Sequence, residues 1–212
     1  YVVLSAPSYV ETFWEELTVP GPRIPITRDT ALFQRAVSLG RRLLWLHTYA
    51  ERFVPQQQRH GQVPAGGSRC VRGISTEPEG YPDCVSWEEN CLRVGEGEFR
   101  PVSKAVWEFS VSDYFVVESW IKSRLRDRTG RRSSQLDEIR PVAWTAEMTQ
   151  ELLELLWVVE ATIAAQSYLN TLLTEILAGP LFAAVDLPQP TDAERRAIEN
   201  EPDEEPQIEL GL

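Results

Sequence analysis

The chain has 212 residues, an apolar fraction of 42%, seven tryptophans, three cysteines and a formal net charge of -11. That is length for one sizeable domain or two small ones, and too apolar for a disordered chain. Cys70, Cys84 and Cys91 are too few and odd in number for a disulfide framework. With no Cys-x-x-Cys, and with His47 and His60 far from metal-ligand spacing, zinc gives way to reduced cysteines in a cytoplasmic protein.

Tyr1 is not methionine, and YVVLSAP reads as strand and turn, so the chain is expected to be a fragment of a longer polypeptide. Residues 8–17 suit a short helix, and VPGPRIP at 19–25 a connector. Residues 30–52 read as a long helix with Asp29 near its start and Leu32, Phe33, Ala36, Val37, Leu39, Leu43, Leu44 and Leu46 along it. Gly40 in its middle costs ~1 kcal/mol against alanine, which a close helix–helix crossing would explain. His47, inside an apolar helix, is expected to be a hydrogen-bonded core residue rather than a catalytic base.

Residues 54–69 are polar, with proline and glycine, and read as loop. A hairpin follows, with Cys84–Trp87 and Cys91–Val94 flanking Glu88-Glu89-Asn90. Phe99–Val102 and Val106–Val111 add strands, the second from the alternation of Val106, Glu108 and Ser110 with Trp107, Phe109 and Val111. Ala65-Gly66-Gly67-Ser68 and Gly95-Glu96-Gly97-Glu98 are the glycine-rich candidates for a cofactor loop. The second carries two carboxylates where an anion would have to approach, and both read better as loop or turn.

From Tyr114 to 126 the period becomes helical, with Phe115, Val116, Trp120 and Ile121 on one side. Six basic residues follow, Lys122, Arg124, Arg126, Arg128, Arg131 and Arg132, opposed only by Asp127, in a chain that is otherwise acidic. A solvated helix end that complements the helix dipole is the plain reading. Two facts weaken that reading and leave phosphate contact open beside it: the run continues past Gly130, and it reverses the sign of the chain. Each guanidinium can grip phosphate oxygens with two hydrogen bonds. Asp137-Glu138 could suggest a metal-dependent nuclease, but no lysine stands at nuclease spacing, so capping or pairing with Arg140 is preferred.

Residues 145–178 carry the strongest helical signal. Thr145 is a plausible N-cap with Glu147 in the first turn, and Leu152, Leu153, Leu155, Leu156, Val159 and Ile163 form a wide apolar face. Gln166-Ser167 is expected to divide this into two helices, the second ending at Gly179-Pro180. Apolar runs such as LLWVV at 155–159 are too short to span a bilayer, and no signal peptide is visible. The last 22 residues hold eight acidic residues against Arg195 and Arg196 and read as an acidic tail, 191–212.

A strand VWEFSVSD, a helix with V-x-x-W-I-x-x-R and a basic loop resemble the target-recognition region of adenine-N6 DNA methyltransferases. The likeness is to the C-terminal specificity domain of type ISP restriction-modification enzymes. RIPITRDTALFQRAVSLGRRLLWLHTYAERF at 23–53 is similar to that domain's opening helix, and SSQLDEIRPVAWTAEMTQELLELLWVVEATIAAQ at 133–166 to its closing helix. EILAGPLF at 175–182 resembles the segment after it. The likeness covers most of the chain and thins at 1–20, 54–85 and beyond 190. It implies an upstream methyltransferase domain of the same polypeptide, with an (N/D)-P-P-(Y/F) tetrapeptide and a loop for S-adenosylmethionine. This chain has no Pro-Pro pair, so no catalytic residue and no cofactor are assigned to it.

The expectation is therefore an α+β domain over 1–190, a small antiparallel sheet packed with long helices from both ends of the chain. It would read double-stranded DNA for an adenine-specific methyltransferase in restriction-modification or phage defence. Lys122, Arg124, Arg126, Arg128, Arg131 and Arg132 would contact phosphates with help from Ser133, and loops 71–90 and 126–134 would supply base readers. Trp107, Trp120, Trp144 and Trp157 are assigned to packing, and Trp87 is the tryptophan placed for a surface role. The rival is a protein–protein scaffold docking on a partner domain, favoured by a pI near 4.8. A DNA reader should gather its basic residues on one face, and a scaffold should scatter them.

Overall fold

A computed structural model describes residues 1–19, 23–126 and 141–192 of the chain. Its order is α1 (Pro7–Thr12), α2 (Thr30–His47), β1 (Arg69–Arg72), β2 (Val85–Glu88), β3 (Cys91–Val94), β4 (Gly97–Arg100), α3 (Lys104–Trp107), β5 (Ser110–Val111), β6 (Tyr114–Phe115), α4 (Val116–Lys122) and α5 (Ala146–Ala178). The fold is α+β, a small antiparallel sheet packed with helices drawn from both ends of the chain.

The long helices start where their caps stand. Asp29 accepts hydrogen bonds from the amides of Ala31 and Leu32 at 2.8 and 3.0 Å, and Thr145 accepts from Met148 at 3.2 Å. Helix α5 runs unbroken through Gln166 and Ser167, contrary to the expected division. Its buried residues form two stripes with the same spacing: Leu152, Leu155, Leu156 and Val159, then Leu169, Leu172, Leu173 and Ile176. At 3.6 residues per turn the second stripe is rotated from the first by about 100°. One helix thus serves two cores on two of its faces, and that turn of the apolar face is what resembled a break.

The first core joins α5 to the sheet and α4 through Leu92, Val94, Phe99, Val117, Ile121 and Trp144. The second joins α5 to α1, α2 and the N-terminal turn through Val2, Val3, Tyr9, Leu43 and Leu173. Of the described helices, α5 is long and apolar enough to cross a membrane, and a third of its apolar window is buried inside the protein. Gly40 has a different cause from the helix crossing expected of it: a Cβ there would meet the Val2 side chain at 3.4 Å, so it admits the N-terminal turn.

The four-stranded sheet has the order β1-β4-β3-β2. The hairpin β2–β3 closes through Glu89 and Asn90, both with positive φ, 47° and 59°, as a two-residue turn between right-twisted strands requires. Strand β1 lies where the sequence predicts loop, across the end of 54–69 and the start of 71–90. It carries a bulge: Arg69 faces Arg100, Cys70 faces Phe99, and Arg72 rather than Val71 faces Glu98. The expected strand at Val106–Val111 forms only at its end: Val106 and Trp107 belong to α3, which Ser103 starts by capping the Val106 amide, and Glu108 and Phe109 turn out of it. Only Ser110 and Val111 are extended, in a hairpin with β6.

Candidate functional site

The expected phosphate-binding run begins at the end of α4, which buries Val117 and Ile121 and presents Lys122 on its outer side. Lys122 pairs with Glu118 one turn back at 2.8 Å. Arg124 stacks its guanidinium 3.7 Å from the centre of the Trp120 ring and donates to the Trp120 carbonyl at 3.1 Å. Glu151 of α5 lies 3.9 Å away. Arg126 donates from its backbone to Pro82 at 2.9 Å and from its guanidinium to the carbonyl of Pro78 at 2.6 Å. The Tyr81 hydroxyl donates to the Arg124 carbonyl at 2.7 Å. Segment 124–126 is thus fastened to the loop before β2, and Arg124 and Arg126 direct donors at their own protein. Arg128, Arg131, Arg132 and Ser133 lie outside the described residues, as do Gly130, the loop 127–134, the Asp137–Arg140 pairing and the tail beyond 192.

A second group of cations was not visible in the chain order. On the outer face of the sheet, Arg72, Arg93 and Arg100 surround one carboxylate, Glu98. Arg72 bonds it directly, Arg93 lies 3.6 Å away and Arg100 3.8 Å. Burial acts to raise the Glu98 pKa. The charge and hydrogen bond of Arg72, then the charges of Arg100 and Arg93, outweigh it and hold the carboxyl below its ordinary value. Arg69 stands opposite Arg100 in the register and turns its guanidinium to the carbonyls of Gly66 and Ser68 at 2.5 and 2.8 Å. The one signal in the sequence is alternation: Leu92-Arg93-Val94 and Gly97-Glu98-Phe99-Arg100 each place charge on one side and apolar atoms on the other.

This array and the α4 exit approach the same end of the sheet. Pro82, which holds the Arg126 amide, sits against the β3–β4 turn, where a Cβ at Gly95 would meet it at 3.1 Å. Arg93 and Arg72 flank Glu98 one position from that turn.

The glycine-rich stretch at 65–68 is an anion cradle, and the chain's own Glu160 fills it. That carboxylate accepts from the amides of Gly67 and Ser68 at 2.5 and 3.0 Å and contacts the Ser68 hydroxyl at 2.5 Å. A Cβ at Gly66 would fall 2.0 Å from the Glu160 carboxylate, which explains the glycine. The stretch at 95–98 is the β3–β4 turn and the start of β4.

Trp87 is a packing residue, not a surface one: it lies against the first core and donates its indole N–H to the Val102 carbonyl at 2.8 Å. Trp144 is fully buried, and Trp107 and Trp120 pack partly buried against it and its neighbours. Trp157 is half-buried and donates to the Ser68 carbonyl at 2.8 Å.

His47 is a half-buried bridge. Its Nε2 lies 2.9 Å from the Thr162 hydroxyl, which itself donates to the Val158 carbonyl, and its Nδ1 lies 2.5 Å from the Tyr1 hydroxyl. We assign the proton to Nε2, so that Nδ1 accepts from Tyr1. Among the described residues no group of His, Cys, Asp and Glu could hold a metal ion. All three cysteines are free thiols.

The model of the type ISP C-terminal specificity domain matches residues 1–155. The match takes in 1–20 and 54–85, where the resemblance read from the sequence thinned, and stops inside α5. No curated protein and no solved structure matches the chain. A basic sheet face and a basic helix exit are borne on a scaffold whose sequence matches that model over well more than half its length, and the chain therefore belongs to the type ISP C-terminal specificity domain family, the DNA target-recognition modules of restriction-modification enzymes.

Proposed function

We propose that the chain reads DNA sequence for an adenine-N6 methyltransferase whose catalytic domain, with its S-adenosylmethionine site, lies in another part of the same polypeptide. Family membership over residues 1–155 carries this reading. The basic run from Lys122 to Arg132 supports it, because it is a concentrated reversal of sign in a chain of net charge -11. Lys122 and the arginines at 128, 131 and 132 track the backbone, while Arg124 and Arg126 mainly hold the helix end in place. Base reading falls to the loops on either side.

The test is duplex binding by fluorescence anisotropy across a salt series, with Arg128→Ala and Arg131→Ala against wild type. Each should weaken binding on all sequences alike and lower the salt slope by roughly 1. Unchanged affinity and slope in both would reduce the run to a solvated helix end. The scaffold reading draws on one observation, the exposed Phe33 and Leu44 of α2 and the 91% exposed Phe53 beyond it, an apolar face on which a partner domain could dock.

A further inference from the structure

We propose that the outer face of the four-stranded sheet, where Arg72, Arg93 and Arg100 gather around Glu98, is a phosphate-gripping surface for the backbone of duplex DNA. It rests on the DNA-reading function above and supplies a contact surface that the chain order does not show.

The arrangement is poor as a device for folding alone. Three guanidinium groups meet one carboxylate, so two positive charges stay unmatched. Arg69 and Arg100 stand directly opposite each other on neighbouring strands, a like-charge pairing that destabilises a sheet. Exposed ion pairs return little, so stability gives no reason to gather a second and third arginine around Glu98. The bulge at Val71 sharpens the point. Without it the 62% exposed Val71 would occupy the place opposite Glu98 that Arg72 takes.

The geometry suits a polyanion. Arg93 and Arg72 lie on strands either side of β4, about 10 Å apart at ordinary strand spacing, and Arg100 is displaced about 7 Å along the strand from Glu98. Charges on one DNA strand recur every ~3.4 Å of helix axis, so a rigid array of this size meets more than one phosphate. The side chains of Arg72, Arg93 and Arg100 are 59%, 42% and 48% exposed, which leaves donors facing outward. Glu98, whose side chain is 19% exposed, sits beneath them and pre-orients the forks. Glu88, opposite Cys91 on the edge strand β2, is the other carboxylate of this face and stands at its far corner.

The experiment uses the whole chain and fluorescein-labelled duplexes of two unrelated sequences, titrated from about 50 to about 200 mM salt. Arg72→Gln, Arg93→Gln and Arg100→Gln should each weaken binding to both duplexes and lower the salt slope by roughly 0.9. The affinity lost across that salt range should then shrink about 3.5-fold for each arginine removed. Glu98→Gln should move the other way, with tighter binding and a steeper slope, a gain that a misfolded variant cannot produce. If wild type binds DNA and all four variants titrate as wild type does, the sheet face is not a contact surface, while the family function stands. If wild type binds neither duplex at the lowest salt, both readings fall together.

Discussion

The Glu160 cradle offers the sharpest test of the fold. Replacing Glu160 by alanine removes the acceptor for two backbone amides and one hydroxyl. The losses are unequal. Gly67 is exposed, and water replaces its partner. The Ser68 hydroxyl keeps the Pro101 carbonyl at 2.8 Å. The Ser68 amide belongs to a fully buried residue and is left without a partner, at about 1–3 kcal/mol. Adding the charge-assisted part of the other contacts gives a total of about 2–4 kcal/mol. For a chain of this length that corresponds to a melting temperature lower by about 4–16 °C. Gly66→Ala should cost about 1–3 kcal/mol by forcing a Cβ against Glu160 and the Trp157 ring. In the double variant the costs should not add, because removing the carboxylate removes the main clash. Differential scanning calorimetry on the four proteins measures this cycle. A Glu160→Ala melting point within about 1 °C of wild type, or strict additivity, would show that the loop does not dock on α5 as described.

Leu156→Ala, in the stripe facing the sheet, should lose about 2–5 kcal/mol in chemical denaturation, since the site is fully buried; an unchanged midpoint would mean that this face of α5 serves a partner. Burial lowers the His47 pKa, so below about pH 6.5 the unfolded chain binds a proton that the folded chain refuses. Stability should be complete above that pH and decline as pH falls towards the folded value, and His47→Gln should flatten this part of the melting profile; a profile identical in wild type and variant would remove His47 from the account. Deleting residues 191–212 takes away eight acidic residues and two arginines, and should tighten duplex binding most at low salt, where screening is weakest. Isothermal titration of the chain with S-adenosylmethionine should show no saturable binding; micromolar uptake would require a cofactor site that the sequence does not reveal.

Local chemistry by itself determined much of the helical frame. Asp29 and Thr145 announce their helices because capping depends on residues within one turn, and leucine periodicity marks α2 and α5 for the same reason. The hairpin β2–β3 was legible from two short runs around Glu88-Glu89-Asn90, of which Glu88 proves to end β2. The basic run was legible too, because its charges are neighbours in the chain. Where several local patterns compete, the sequence misleads: Val106–Val111 alternates like a strand, but Ser103 captures an amide and the chain coils. Gln166-Ser167 looked like a break because a helix that packs against two cores must rotate its apolar stripe.

Only the tertiary structure could decide the sheet face. Arg69 and Arg100 are far apart in sequence and meet because β1 pairs with β4, a choice set by burying Cys70 and Phe99 on the opposite side. The bulge at Val71 then decides whether a valine or an arginine stands over Glu98. Side chains alternate across a strand with a period of two, so a single-residue slip exchanges the two faces. No pattern within β1 fixes that slip; the partner strand and the core beneath it do.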